Sequence, residues 1–293
     1  MDVRGLNCTV VGLAKSGLAT IELLARRGAR IRASDQRPLA ELPEEAGRLL
    51  DALKVDFVPQ SPAALDGADL VILSPGVPPE LPLFAGLRVP LIGDVELASR
   101  FLRGRVLAIT GSNGKTTTTA LCGHLLKEAG LPVSVGGNIG VPLAAFVDDT
   151  HDQSWTVLEL SSFQTQMLAS MRIHIGVALN VTPDHLDRHG TFDNYAAAKR
   201  RMFAFQQPED FAVLNAADPV TAAYATSTPA QACWFQTTGP LPHGFSLAGG
   251  TLLAHGQPWM DRSGIRLRGL HNIENILAAG CAASLAGVPL DAA

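Results

Sequence analysis

The sequence predicts an α/β fold: an N-terminal Rossmann-like parallel-sheet domain followed by a P-loop-type ATPase α/β domain with a small antiparallel β addition. Three observations predict it. Short β-rich runs alternate with segments of helical period along most of the chain, the pattern of a parallel sheet with crossover helices. Two of those runs end in glycine-containing turns that open helices, Gly12 to Gly17 and Gly111 to Lys115. Between about Ala232 and Arg268 the pattern changes to short strands broken by Gly and Pro.

Cys8 to Leu13 is the first β-rich run, after which Leu18, Ile21, Leu24 and Ala25 recur at helical spacing up to Gly28, a C-terminal stop. A second strand ends at Asp35, a third lies near Phe57 and Val58, and a buried one from Leu70 to Leu73 runs into Ser74-Pro75-Gly76. A second unit begins near Arg100, with a strand from Val106 to Thr110 and a helix from Thr116 to Ala129 that Gly130 and Pro132 stop. Further strands are expected at Trp155 to Leu160, Ile173 to Asn180 and Phe211 to Asn215, and helical segments at Tyr195 to Phe203 and His271 to Ala286. The chain has 293 residues, and at roughly 150 residues per domain this length suits two domains. They are expected at 1-97 and 98-293.

Composition narrows the function classes. The hydrophobic fraction is 47% and the charged fraction 17%, enough apolar residues for a large core, so the chain is not a disordered one. The net charge of −4 is not the footprint of a protein that binds a nucleic-acid backbone. From Asp218 to Asp261 no charged residue intervenes, but Pro and Gly interrupt the stretch, so no membrane span is expected. The N-terminus lacks the basic-then-apolar order of a signal peptide, which points to a cytoplasmic protein. The four cysteines form no CxxC pair and are read as buried free thiols.

Four clusters carry chemistry. The turn at Gly12 opens a helix, and Asp35 follows at about the 20-residue distance of the dinucleotide fingerprint, although Ala14 replaces the middle glycine. Alone, it reads equally well as a strand-helix packing turn. The run Ile109-Thr110-Gly111-Ser112-Asn113-Gly114-Lys115-Thr116 lies between strand and helix, where backbone N–H groups attract phosphate, Lys115 neutralises its charge and the Thr116 hydroxyl can ligate Mg²⁺. Ile109 stands where the general P-loop has Gly. Glu159 closes an apolar strand and can bind a hard cation opposite Lys115 and Thr116. In Asn180-Val181-Thr182-Pro183-Asp184-His185-Leu186-Asp187-Arg188-His189, His185 suits metal binding or proton transfer. Lys199, by itself, reads as a lysine on an amphipathic helix.

Taken together, Gly111 to Thr118, Gly137-Asn138-Ile139-Gly140, Glu159-Leu160-Ser161-Ser162-Phe163-Gln164 and Pro183 to Gly190 resemble the Mur ligase family, with Tyr195, Ala198-Lys199, His271-Asn272 and Asn275 extending the likeness. The Glu-Leu-Ser-Ser-Phe-Gln block resembles the branch that adds D-glutamate. The resemblance implies an ATP- and Mg²⁺-dependent reaction of cytoplasmic peptidoglycan precursor synthesis, by a monomer. ATP phosphorylates the carboxylate of UDP-N-acetylmuramoyl-L-alanine, and the amine of D-glutamate displaces phosphate from the acyl phosphate.

Lys115, His185 and Lys199 would then be catalytic, and Ser112, Asn113, Gly114, Lys115, Thr116, Thr117, Asn272 and Asn275 would bind ATP. Thr116 and Glu159 would hold one Mg²⁺, and His185 with a carbamylated Lys199 a second. Gly12, Ser16, Gly17, Asp35, Gln36, Arg37, Ser74 and Gly76 would hold the uridine diphosphate, which replaces the nicotinamide reading of Gly12. Asn138, Ser161 and Gln164 would contact the muramoyl-alanine part. The family carries a third, D-glutamate-binding domain beyond the residues present here, so the 293 residues are expected to bind the UDP substrate and to ligate D-glutamate negligibly. The competing readings are a Rossmann oxidoreductase and a nucleotide-sugar-binding regulatory protein.

Overall fold

The computed structural model describes residues 1–291. The chain runs through β1 (Asn7–Val11), α1 (Lys15–Arg26), β2 (Arg30–Ser34), α2 (Glu44–Leu53), β3 (Asp56–Phe57), β4 (Leu70–Leu73), β5 (Leu91–Gly93) and α3 (Asp94–Ser99). It continues through β6 (Arg105–Thr110), α4 (Lys115–Glu128), β7 (Val133–Gly137), α5 (Leu143–Phe146), β8 (Trp155–Glu159), α6 (Ser162–Thr165), β9 (Ile175–Ala178), α7 (Leu186–His189) and α8 (Phe192–Arg200). Next come β10 (Phe211–Asn215), α9 (Pro219–Ala223), β11 (Gln231–Gln236), β12 (Gly244–Ala248), β13 (Thr251–Ala254), β14 (Gln257–Asp261) and α10 (Leu270–Leu285). Two compact units result. The first comprises Met1–Leu102, Pro142–Asp149 and Met167–Met171, and the second Arg103–Val141, Thr150–Gln166 and Arg172–Ala293.

The first unit holds a five-stranded parallel sheet in the order β3-β2-β1-β4-β5. Strand order reverses between β1 and β4, and such a switch point leaves a crevice beyond the carboxyl ends of the strands. Leu18, Ile21 and Leu24 of α1 are buried with Val10, Leu70 and Ile72 of the sheet in one core, as their spacing predicts.

The second unit holds a nine-stranded mixed sheet in the order β14-β13-β12-β11-β10-β9-β6-β8-β7. Its central strands are continuous apolar runs because helices cover both faces: Val106 to Ile109 are nearly inaccessible. The expected small antiparallel addition is built onto the edge of this sheet. β11 and β12 continue the parallel sheet, and only the β12-β13-β14 pairings are antiparallel. Trp259 of β14 packs on Gly280 of α10, where an added Cβ would lie 2.2 Å from the indole. The helix is built of small residues there because the sheet approaches it closely.

The helix expected at Tyr195 begins earlier, at Phe192, because the Thr191 side chain accepts from the Asn194 N–H and caps it. No helix among the described residues is long and apolar enough to cross a membrane. The core predicts its own sensitivity. Leu107→Ala, at the centre of β6 and 0% exposed, is expected to lower unfolding free energy by about 2–5 kcal/mol. Leu53→Ala, on the exposed end of α2, should change it by no more than about 0.5 kcal/mol. Urea unfolding of the two variants checks both.

Candidate functional site

In the first unit, the β1-α1 turn is a glycine-dependent cradle. Gly12 has φ +94°, and a Cβ there would lie 2.9 Å from that of Ser74. At Gly17 a Cβ would lie 1.9 Å from the Gly12 carbonyl oxygen, so the first turn of α1 can approach the strand end only without a side chain. Ala14 is different: it has φ −87° and ψ −173° at the helix N-cap, an extended conformation open to any residue. Its replacement of the fingerprint's middle glycine therefore leaves the backbone of the turn intact.

Three further contacts fix this turn. The Leu13 N–H donates to Asp35 Oδ2 (2.7 Å), the Arg37 guanidinium and N–H donate to the same carboxylate, and Ser74 Oγ donates to the Gly12 carbonyl (2.6 Å). Asp35 is buried, and these donors outweigh desolvation and hold its carboxyl below the usual range. A cavity of about 400 Å³ opens over the turn, and Gly12, Ser16, Asp35, Gln36, Arg37, Ser74 and Gly76 all line it. Gly17 packs beneath. Gln60, which the sequence did not single out, lines the same cavity. The N-terminus of α1 opens on this cavity and gives it positive polarity toward an anion.

In the second unit, register builds the site. β6 pairs with β8 on one side and β9 on the other, setting Ile109 against Glu159 and Thr110 against Ala178. The strands therefore deliver Gly111, Glu159 and Asn180 to one edge of the sheet. Gly111 (φ +154°) and Gly114 (φ +86°) bend the loop into the start of α4. Asn113 and Asn180 exchange hydrogen bonds, N–H to Oδ1 at 2.9 Å and Nδ2 to the carbonyl at 3.1 Å. Ser112 Oγ lies 3.0 Å from the Tyr195 hydroxyl and donates to the Thr182 carbonyl. Neither Asn180 nor Tyr195 was assigned a role from the sequence; both clamp the loop from behind. Thr117, on the next position of α4, is half-buried.

Charge is concentrated around this loop. Lys115 Nζ donates to the carbonyls of Gly111 (3.0 Å) and Ser112 (2.9 Å), and Lys199 Nζ donates to the same Gly111 carbonyl (2.8 Å). Lys199 is 2% exposed, which overturns its reading as an ordinary lysine on an amphipathic helix. Its ammonium lies 4.5 Å from the centre of the Tyr195 ring. Burial, with Lys115 alongside, pushes Lys199 down to about 7, and burial also lowers Lys115.

Glu159 is 2% exposed, and its two oxygens accept from Thr116 Oγ1 (2.9 Å) and Asn138 Nδ2 (3.1 Å). This carboxylate and hydroxyl are hard oxygen donors beside a phosphate-type loop and fit a divalent cation that keeps water and phosphate among its ligands. Among the described residues, no group of three or more His, Cys, Asp and Glu could hold a metal by itself. His185 is the N-cap of α7, with φ +51°, and faces Asp184 at 3.5 Å. It lies 5.0 Å from the Phe163 ring, which also stacks on His189 and carries Arg188 over its face. Phe163 had no chemical signal in the sequence, being an apolar residue in a polar block. As an ammonium, Lys199 offers only donors, so it fits a metal only once it has lost that charge or been converted to an anionic group.

Two predicted sets have a local structural role as well. Ser161 and Gln164 form a capping box on α6, each accepting from the other's backbone N–H. Asn275 of α10 is buried against Gly114, where a Cβ would meet its Oδ1 at 2.2 Å, and its Nδ2 donates to Asn272 Oδ1 (3.3 Å). α10 thus brings Asn272 and Asn275 to the loop.

These features define the class: an α/β protein with a Rossmann-like unit and an ATPase-type unit. Residues 109–283 match the Mur ligase middle domain and residues 6–88 the N-terminal domain of MurD-like Mur ligases, so the chain belongs to the Mur ligase family. It is 52% identical over 98% of its length to a UDP-N-acetylmuramoylalanine--D-glutamate ligase of Solibacter usitatus, and 45% identical over its whole length to one of Acidobacterium capsulatum. The chain spans 65% and 66% of the lengths of these relatives. In fold it is similar to the UDP-N-acetylmuramate:L-alanyl-gamma-D-glutamyl-meso-diaminopimelate ligase from Neisseria meningitides, with a TM-score of 0.66 at 18% identity, over 98% of this chain and 96% of that one. It is also similar to the UDP-N-acetylmuramate-alanine ligase of Thermotoga maritima, with a TM-score of 0.59 at 21% identity, over 98% of this chain and 66% of that one.

The depressed Lys199 has a thermodynamic consequence. Its folded-state pKa of about 7 lies below the unfolded value, near 10.4. The unfolded chain therefore binds more protons between these values, and stability rises with pH across that window. Between pH 7 and 9 in CO₂-free buffer, the wild-type chain is expected to gain more stability than Lys199→Met, by at most about 1.4 kcal/mol per pH unit. Denaturant unfolding at several pH values measures the difference.

Proposed function

We propose that this chain carries the nucleotide-binding machinery of an ATP-dependent ligase that joins D-glutamate to UDP-N-acetylmuramoyl-L-alanine in peptidoglycan precursor synthesis. The observation that carries the reading is the Thr116–Glu159 hydrogen bond at the mouth of the phosphate-type loop, with Lys115 and Lys199 converging on Gly111. Relatives of that printed name at 52% and 45% identity support the substrate assignment.

In the proposed reaction the substrate carboxylate attacks the γ-phosphorus of ATP, the bond to the β-phosphate oxygen breaks, and an acyl phosphate and ADP result. The amine of D-glutamate then attacks the acyl carbon, and phosphate leaves as the amide bond forms. Both steps bring anions together, so concentrated positive charge is the main requirement. Lys115 swings from the loop carbonyls onto the β/γ-phosphates, and the loop N–H groups and the N-terminus of α4 hold the remaining oxygens. Ser112, Asn113, Gly114 and Thr117 orient the nucleotide, with Asn272 and Asn275 on its adenine side. Mg²⁺ held by Thr116 and Glu159, and a second ion held by His185 and a carbamylated Lys199, would supply charge neutralisation at the transferring phosphoryl group.

Burial and the neighbouring Lys115 push Lys199 down to about 7, so a substantial fraction is neutral amine near neutrality and can add to CO₂, releasing one proton. In the first unit the cavity over Gly12 to Gly17 takes the diphosphate, with Asp35, Gln36 and Arg37 toward the uridine, and Ser74 and Gly76 line the same cavity. Asn138, Ser161 and Gln164 hold the muramoyl-alanine part.

Calorimetric titration tests this reading: the chain is expected to bind UDP-N-acetylmuramoyl-L-alanine and not NAD, and Lys115→Ala is expected to weaken ATP at least about tenfold. The protein as its host makes it should release phosphate from ATP only when both the UDP substrate and D-glutamate are present. NAD binding, or phosphate release indifferent to D-glutamate, would overturn the assignment.

A further inference from the structure

Val181 is buried and lies beyond Ala178, where the strand pairing of β9 ends. A buried N–H at such a place needs an acceptor from elsewhere in the fold. Asp218, in the turn between β10 and α9, supplies it: its Oδ2 accepts from the Val181 N–H at 2.9 Å. Its Oδ1 accepts from the N–H groups of Val220 (3.0 Å) and Thr221 (2.9 Å), which makes Asp218 the N-cap of α9. A cap needs one acceptor oxygen, and Ser, Thr or Asn offers that as well. The bond to Val181 needs a second, which the carboxylate has.

Asn215, at the end of β10, acts from the same turn. It is buried, its Nδ2 donates to the Leu179 carbonyl (3.0 Å), and its Oδ1 accepts from the Ala217 N–H (3.0 Å). The turn therefore holds the chain on either side of Asn180. That same stretch holds the phosphate-type loop. The Asn180 carbonyl accepts from the Ser112 N–H (2.8 Å), its Oδ1 accepts from the Asn113 N–H (2.9 Å), and the Thr182 N–H donates to Ser112 Oγ (3.0 Å). Every link in this chain of contacts lies within the second unit.

We infer that Asp218 is a positioning residue for the nucleotide: by pinning Val181 it fixes Asn180 and Thr182, and through them the backbone of Ser112 and Asn113 that faces the polyphosphate. The inference rests on the functional reading above. Loop N–H groups hold phosphate strongly only when they are aimed before it arrives, so slack behind the loop costs nucleotide affinity.

Calorimetric titration with MgATP of the wild-type chain and three variants tests this. Asp218→Ser keeps a capping oxygen for α9 but has none for Val181, and Asp218→Ala removes both; each is expected to weaken MgATP about tenfold. Leu252→Val, in the buried part of β13 and several strands away from the loop, lowers stability and is expected to change MgATP affinity by less than about twofold. If Asp218→Ala does not fold, Asp218→Ser decides alone. Affinity within about twofold of wild type in Asp218→Ser reduces Asp218 to a helix cap and overturns the inference, as does equal weakening by Leu252→Val. A wild-type chain that does not bind MgATP overturns the functional reading and this inference with it.

Discussion

The parallel pairing of β6 between β8 and β9 is the constraint on which the second unit depends. Because β6 is buried on both faces and its register is fixed by hydrogen bonds on both edges, the positions where the three strands stop are not adjustable. Gly111, Glu159 and Asn180 therefore emerge side by side. A one-residue slip of β8 would turn Glu159 away from Thr116 and put an apolar neighbour in its place. The chemistry at the loop is in this sense a consequence of strand register.

Electrostatics builds on that frame. Two lysines share the Gly111 carbonyl; Glu159 and Asp184 favour the charged form of Lys115, and Asp184 that of Lys199, yet burial lowers both. Such a site is costly when empty of anions and favourable when polyphosphate enters, because fixed positive charge in a partly desolvated crevice interacts more strongly than it would in water. The first unit solves a milder form of the same problem. At its cavity Asp35 is tied to Leu13 and Arg37 and so shapes the turn.

Much of this was legible in the sequence. The strand at Leu70 to Leu73 and that at Phe211 to Asn215 fall where apolar runs between turn residues put them, and the helix after Lys115 starts and stops at its glycine and proline signals. The phosphate-type loop was readable because a lysine in a glycine turn has no packing purpose. Lys199 was not readable from its residues, since a lysine among alanines has the local pattern of a solvated helix; only the packing of α8 beneath the loop buries it. Phe163 and Tyr195 entered the reading only through the family resemblance, for the same reason, as aromatic residues that act by what lies against them.

The sequence by itself determined the two glycine turns that open α1 and α4, the alternation that makes a parallel sheet, and the family, because these depend on short-range spacing and on glycines that local backbone geometry demands. Tertiary structure decided how the last strands extend the main sheet, which lysine is buried, and that Pro142–Asp149 and Met167–Met171 join the first unit while their neighbours join the second. Those outcomes rest on contacts between residues far apart in the chain, such as Glu96 with Ala169 to Met171, and no local pattern of residue types encodes them.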